Sequence, residues 1–246
     1  MTGALALLLL AALIAGISKT SFGGLGAIAV ALLAVSMPTK ESTAAALLLL
    51  IVGDLVAVAR YRRSANWGML KRLLPAVVPG LLLGSVFIYL VDDLILKRSI
   101  GALLMISVLI HIVLTGRRRR VAGVGPGRPS TALTWGAGIG AGFTTMTANA
   151  AGPVMALYLQ LARVDKLAFL GTFSWFFFIV NVAKTPFTAA LGLFTPEVLR
   201  GVAIGTPVVL VGTALGILVI RHVSQRVFDA VTIVTSLVAA AALLVI

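Results

Sequence analysis

The sequence predicts an all-α integral membrane protein: two inverted five-segment repeats, each beginning with a broken or re-entrant helical hairpin followed by three transmembrane helices. Three observations predict it. Of 246 residues, 60% are hydrophobic and only 11% charged, too apolar a balance for a chain whose solvent is water. The apolar residues fall into discrete runs separated by short basic or Gly/Pro-containing stretches. A shift of 126 to 128 positions then overlays one half of the chain on the other with almost no gaps.

The first half contains apolar runs at 2–17, 22–37, 42–59, 73–91 and 99–115, and the second at 131–143, 150–162, 167–183, 198–220 and 227–246. This divides the chain into a first membrane repeat, 1–120, a basic cytoplasmic linker, 121–130, and a second repeat, 131–246. The overlay pairs Gly16 with Gly142, Gly26 with Gly152, Asp54 with Asn181, Pro79 with Pro207, Gly84 with Gly212 and Arg98 with Arg226. The N-terminal run resembles a signal sequence but lacks a basic leader and continues into further apolar sequence, so it is expected to be a retained membrane segment.

Because each half holds an odd number of segments, the second must insert upside down relative to the first, and the positive charges agree. With the basic stretches 60–72 and 117–128 in the cytoplasm, alternation also puts Arg163, Lys166, Arg221 and Arg226 inside. Lys40, Lys97, Arg98, Lys184 and Arg200 remain outside, and both termini face the periplasm of a bacterial inner membrane. On this reading Lys184, just before Pro186, is interfacial, with an outer lure for substrate as the alternative.

The first two runs of each half are too short to span comfortably, since about 13 to 16 helical residues reach roughly 20 to 24 Å against a hydrocarbon core of about 30 Å. They are expected to be half-helices meeting at a Gly-rich break. Irregular backbone at membrane depth is tolerated only against protein or a wet cavity, so the two breaks are the candidate site.

The first break combines Gly16, Ser18, Lys19, Thr20, Ser21, Gly23, Gly24 and Gly26: glycines that free the backbone, three hydroxyls and an ammonium. The second holds Gly142, Thr144, Thr145, Thr147, Asn149, Gly152 and Pro153, the proline suiting a first helical turn. Half-helices starting after each break would aim positive dipole ends at an anion. The competing explanations are close helix packing for the glycines, to which Gly136, Gly138 and Gly140 are assigned, and hydroxyls bonded back to their own helix.

An intramembrane Lys19 is costly and marks function by default, the alternative being that it snorkels toward the cytoplasmic interface. Asp54 and Asn181 are expected to face each other across a pseudo-twofold axis, with Asp54 holding Lys19 charged or coupling transport to a proton or cation. Trp67 and Trp135 suit membrane interfaces, and Trp175 with Phe176–Phe178 suits lipid or helix packing.

Several classes are excluded. No cysteine occurs, and His111 and His222 lack metal-ligand spacing, so no metal and no cofactor is expected. The net charge of +13 is clustered between apolar runs, a topology signal rather than a nucleic-acid surface. No G-x-S-x-G or H-E-x-x-H motif supports an enzyme, so no catalytic residue is assigned. The expected partners are the lipid bilayer, a small anion and a coupling ion; a homodimer is left open.

The segments GISKTSFGGLG, GFTTMTANAAGPVMALYL and NVAKTPFTAALG resemble the repeated signatures of the sulfite exporter TauE/SafE family, and the resemblance covers nearly the whole chain. It implies a secondary transporter, in the export direction, of sulfur-containing anions such as sulfite, sulfonates or thiosulfate. The paired Gly-rich segments would then line the substrate path. The second half departs from the pattern, with Asn149 and Ala150 where the first has Gly23 and Gly24. An anion channel using the same chemistry is the alternative, and an intramembrane enzyme a more remote one.

Overall fold

A computed structural model describes residues 2–20, 26–117, 130–162, 164 and 166–219. In chain order its helices are α1 (Thr2–Thr20), α2 (Gly26–Ser36), α3 (Thr39–Tyr61) with a 3-10 turn at Arg62–Ser64, and α4 (Trp67–Leu90). They continue with α5 (Asp93–Arg117), α6 (Thr131–Ala148), α7 (Gly152–Leu161), α8 (Lys166–Ala190) and α9 (Pro196–Val219). There is no strand among the described residues. The tenth expected segment, 227–246, and nearly all of the linker lie outside them, as do Ser21, Gly23, Gly24, Arg163, Arg221, His222 and Arg226.

Five of the described helices are long and apolar enough to cross a bilayer: α1, α3 with its 3-10 turn, α4, α8 and α9. The chain is therefore a multi-pass membrane protein. Among the described helices α2 and α7 alone are half-length, with 11 and 10 residues that reach roughly 15 to 16 Å. The expectation that α1 and α6 are equally short is corrected: they have 19 and 18 residues and reach about 27 to 28 Å. They outrun their apolar stretches because their polar ends find partners. Ser18 Oγ donates to the Ala15 carbonyl at 2.9 Å and Thr147 Oγ1 to the Phe143 carbonyl at 2.8 Å, which removes the cost of carrying hydroxyls inward.

Packing is reciprocal between the halves. α1 lies along α9 and α6 lies along α4, while α3 and α8 meet at the centre. Of the α3 span 61% is buried, against 28% of α9, so α3 is the axial helix and α9 a lipid-facing one. Leu210, Val211, Leu215 and Leu218 on α9, like Leu82, Leu83, Val86 and Leu90 on α4, are exposed where lipid would cover them.

Both long seams are set by glycine. A methyl group at Gly16 would overlap the Val209 carbonyl, and Gly212 meets the Gly16 Cα from the other side. Gly142 and Gly80 interlock in the same way between α6 and α4. Helix backbones in lipid associate through such close approach, because no hydrophobic drive separates helix from tail. Gly138 packs on Ala76, as its packing assignment requires, whereas Gly136 faces open space.

Capping fixes the remaining ends. Pro38 before α3 offers no side-chain cap. Asp93, from the first turn of α5, accepts from Thr39 N at 3.1 Å and Lys40 N at 3.3 Å instead, a carboxylate set at the positive end of α3. The turn after α3 is tied to α8 by Asn66 N donating to Thr172 Oγ1 at 2.9 Å and by the Trp67–Trp175 ring contact at 5.0 Å.

Candidate functional site

The second break is shaped by Asn149. It ends α6 in the left-handed region, φ 49°, and is the only non-glycine residue with positive φ among the described residues. Asn tolerates this conformation better than other side chains bearing a Cβ. The turn closes with Asn149 N bonded to the Thr145 carbonyl at 3.0 Å and Ala150 N to the Thr144 carbonyl at 3.2 Å. The chain can then restart as α7 at Gly152, with Pro153 in its first turn as its missing N–H predicts.

Three helices bring charges together at the level of the breaks. Lys19 Nζ, near the end of α1, lies 2.6 Å from Asp54 Oδ1 on α3 and sits over the Phe177 ring at 4.8 Å. Its stem lies against α3 where Gly53 leaves room; a Cβ there would come within 2.8 Å of Lys19 Cγ. Asp54 is 1% exposed, and its other oxygen accepts from Asn181 Nδ2 at 2.6 Å. The expected carboxylate–amide pair is therefore present within the α3 and α8 helices.

The sequence reading missed Lys184. Expected at the interface, it is 1% exposed. Its Nζ donates to the Thr145 carbonyl at 2.7 Å, to Asn149 Oδ1 at 2.5 Å and, at longer range, to Asn181 Oδ1 and Thr145 Oγ1. α8 continues to Ala190, past Ala183 where the apolar run was taken to end, which draws Lys184 inside. The available signal was the spacing Asn181 to Lys184: three positions apart on a helix, they share a face.

Lys184 also orients the two amides. An ammonium has only hydrogens to give, so it holds Oδ1 of both Asn149 and Asn181 toward itself. Their Nδ2 groups then point elsewhere, to the Thr43 carbonyl at 3.2 Å and to Asp54. Each NH₂ keeps a second hydrogen.

A cavity of about 40 Å³ lies between the breaks, room for about three waters at roughly 10–15 Å³ each. Ser18, Lys19 and Gly26 line it from the first break, and Thr145, Asn149 and Gly152 from the second. Leu50, Phe173, Phe177 and Asn181 close it from α3 and α8. Gly26 and Gly152 are the first residues of α2 and α7, so two positive helix ends abut one space.

Five other expected site residues lie elsewhere. Gly16 and Gly142 belong to the interhelical seams. Thr20 Oγ1 donates across to the Thr213 carbonyl at 2.9 Å, and Thr144 and Thr147 donate to carbonyls of their own helix. No group of three or more His, Cys, Asp or Glu that could hold a metal occurs among the described residues.

The sequence profile described as Sulfite exporter TauE/SafE matches residues 8–243, nearly the full length of the chain. The chain belongs to the TauE/SafE sulfite exporter family. The family's members are transporters, which agrees with the membrane-spanning helices. No curated protein and no solved structure is significantly similar to the chain.

Proposed function

We propose that the protein is a secondary transporter that carries small sulfur-containing oxyanions, such as sulfite, sulfonates or thiosulfate, out of the cytoplasm by alternating access. The cavity between the two breaks is its binding site. One observation carries this reading: a small, partly open pocket is lined from both halves by Lys19, Asn149, Asn181 and the first residues of two half-length helices. These are donors and positive charge, the complement of a compact oxyanion. Family membership supports the sulfur-anion class.

The halves are inverted repeats in this proposal, supported by the reciprocal packing of α1 on α9 and α6 on α4. The exposed Arg62, Arg63, Lys71 and Arg72 around the α3–α4 connection support a cytoplasmic position for that end, which puts both termini in the periplasm of the bacterial inner membrane. Lys19 is the direct anion contact. Lys184 is a positioning residue that acts through Asn149 and Asn181 and adds its charge behind them.

The test is equilibrium binding of thiosulfate, sulfate, sulfite and a short sulfonate to purified protein, compared with Lys19→Ala. Loss of one charge-assisted hydrogen bond, about 1.5–3 kcal/mol, should weaken binding roughly 10- to 100-fold. Unchanged affinity would remove the principal contact and with it the site. Saturable flux in proteoliposomes without unitary currents separates a carrier from a channel.

A further inference from the structure

The buried cluster has a countable charge. Lys184 Nζ meets Thr145 O, Thr145 Oγ1, Asn149 Oδ1 and Asn181 Oδ1, uncharged acceptors enough to engage all three hydrogens of an ammonium. Lys19 is paired to one oxygen of Asp54. With both lysines protonated and Asp54 ionised, the empty cluster carries +1.

Among the described residues, the charges acting on Asp54 are Lys19 from α1 and Lys184 from α8. α2, which also packs on α3, carries no ionisable residue. No ion pair joins Asp54 to α5, α9 or the 3-10 turn among the described residues. An uncompensated charge at membrane depth is costly, so the loaded site is most stable when its sum is zero.

We infer that the site takes a monoanion as it stands and a dianion only together with one proton on Asp54, so that every substrate crosses with one net negative charge. This rests on the cavity being the anion site. The proton adds to Asp54 Oδ1 and breaks the ion pair with Lys19, whose ammonium turns to the dianion. Oδ2, now the carbonyl oxygen, keeps accepting from Asn181. On the far side the dianion leaves, the same proton leaves, and the pair closes again. With Asp54 neutral the cluster holds +2, which a dianion cancels.

The test is the ratio of charge to tracer flux, with proton flux read in parallel, in proteoliposomes containing the full chain. Thiosulfate serves as the dianion and methanesulfonate as the monoanion; sulfite is unsuitable because it exchanges with bisulfite near neutral pH. For the wild type, one charge per molecule is expected for both, with one proton per thiosulfate and none per methanesulfonate. In Asp54→Asn, whose cluster is fixed at +2, thiosulfate should cross with two charges and no proton.

Two charges per thiosulfate in the wild type would overturn the inference without needing any variant. A proton that persists in Asp54→Asn would move the carrier to Lys184 and also overturn it. Thiosulfate binding is measured on the same preparations: retained binding with the wrong ratio defeats only the charge rule, whereas no binding of either anion defeats the site itself.

Discussion

The two breaks solve the same problem with opposite placements of charge. In the first half the cation rides on the long helix that ends at the break, Lys19 on α1, and its partner is a carboxylate on α3. In the second half the equivalent helix end carries a neutral amide, Asn149, and the cation comes from α8. The two breaks thus enclose an asymmetric site. One cation is held by a group that protonation can release, the other by carbonyl and amide oxygens that cannot let go in that way. The first break is suited to exchange and the second to support.

The sharpest way to break this contrast is Asp54→Ala. It leaves Lys19 without its counter-charge, and losing one partner of a buried pair costs about 3–5 kcal/mol. A large fall in the thermal midpoint in detergent is expected, with partial recovery on adding a high concentration of thiosulfate. A midpoint unchanged from the wild type would mean that Lys19 is not held there.

The seams are expected to behave alike where the breaks differ. Gly16→Ala and Gly142→Ala each force a methyl group into the backbone of the facing helix, an overpacking that costs about 1–3 kcal/mol or more. Gly136→Ala has open space and should be neutral or gain up to about 1 kcal/mol from helix propensity. Thermal unfolding of the three variants measures this; a neutral Gly16→Ala would show that α1 and α9 are not in backbone contact.

At the second break, backbone and side-chain roles can be separated. Asn149→Ala loses both the amide and the tolerance of positive φ, which for an ordinary residue costs about 1–2 kcal/mol. Asn149→Gly restores the backbone alone. Stability should recover in the glycine variant while thiosulfate affinity stays low, and recovery of both would assign Asn149 to the turn only.

The smallest effect is expected far from the cavity. Thr172→Val removes the hydroxyl that accepts from Asn66 N and should cost about 1 kcal/mol with no change in anion affinity. A lost affinity there would mean that the α3–α4 turn is coupled to the site.

Much of this was legible in the chain. Apolar runs located nine helices among the described residues, because lipid demands long apolar stretches whose backbone is satisfied internally. The Asp54–Asn181 pair followed from the overlay of the halves, and Lys19 from the cost of a charge at depth. Helix ends were not legible: Ser18, Thr144 and Thr147 look like breakers to a hydropathy scan, yet each returns its hydroxyl to a carbonyl of its own helix. For the same reason Lys184 looked interfacial, since the run seemed to stop at Ala183.

By itself, then, the sequence determined the membrane environment, the apolar segments, the two breaks and the residue types at them, because all of these depend on local composition and period. Tertiary packing decided which of those residues meet. It sent Gly16 and Gly142 into the seams, turned most hydroxyls back on their helices and drew Lys184 inward to two asparagines. Those outcomes depend on which acceptors lie within reach of each donor, and that is set by how α1, α3, α6 and α8 cross in space rather than by any one stretch of chain.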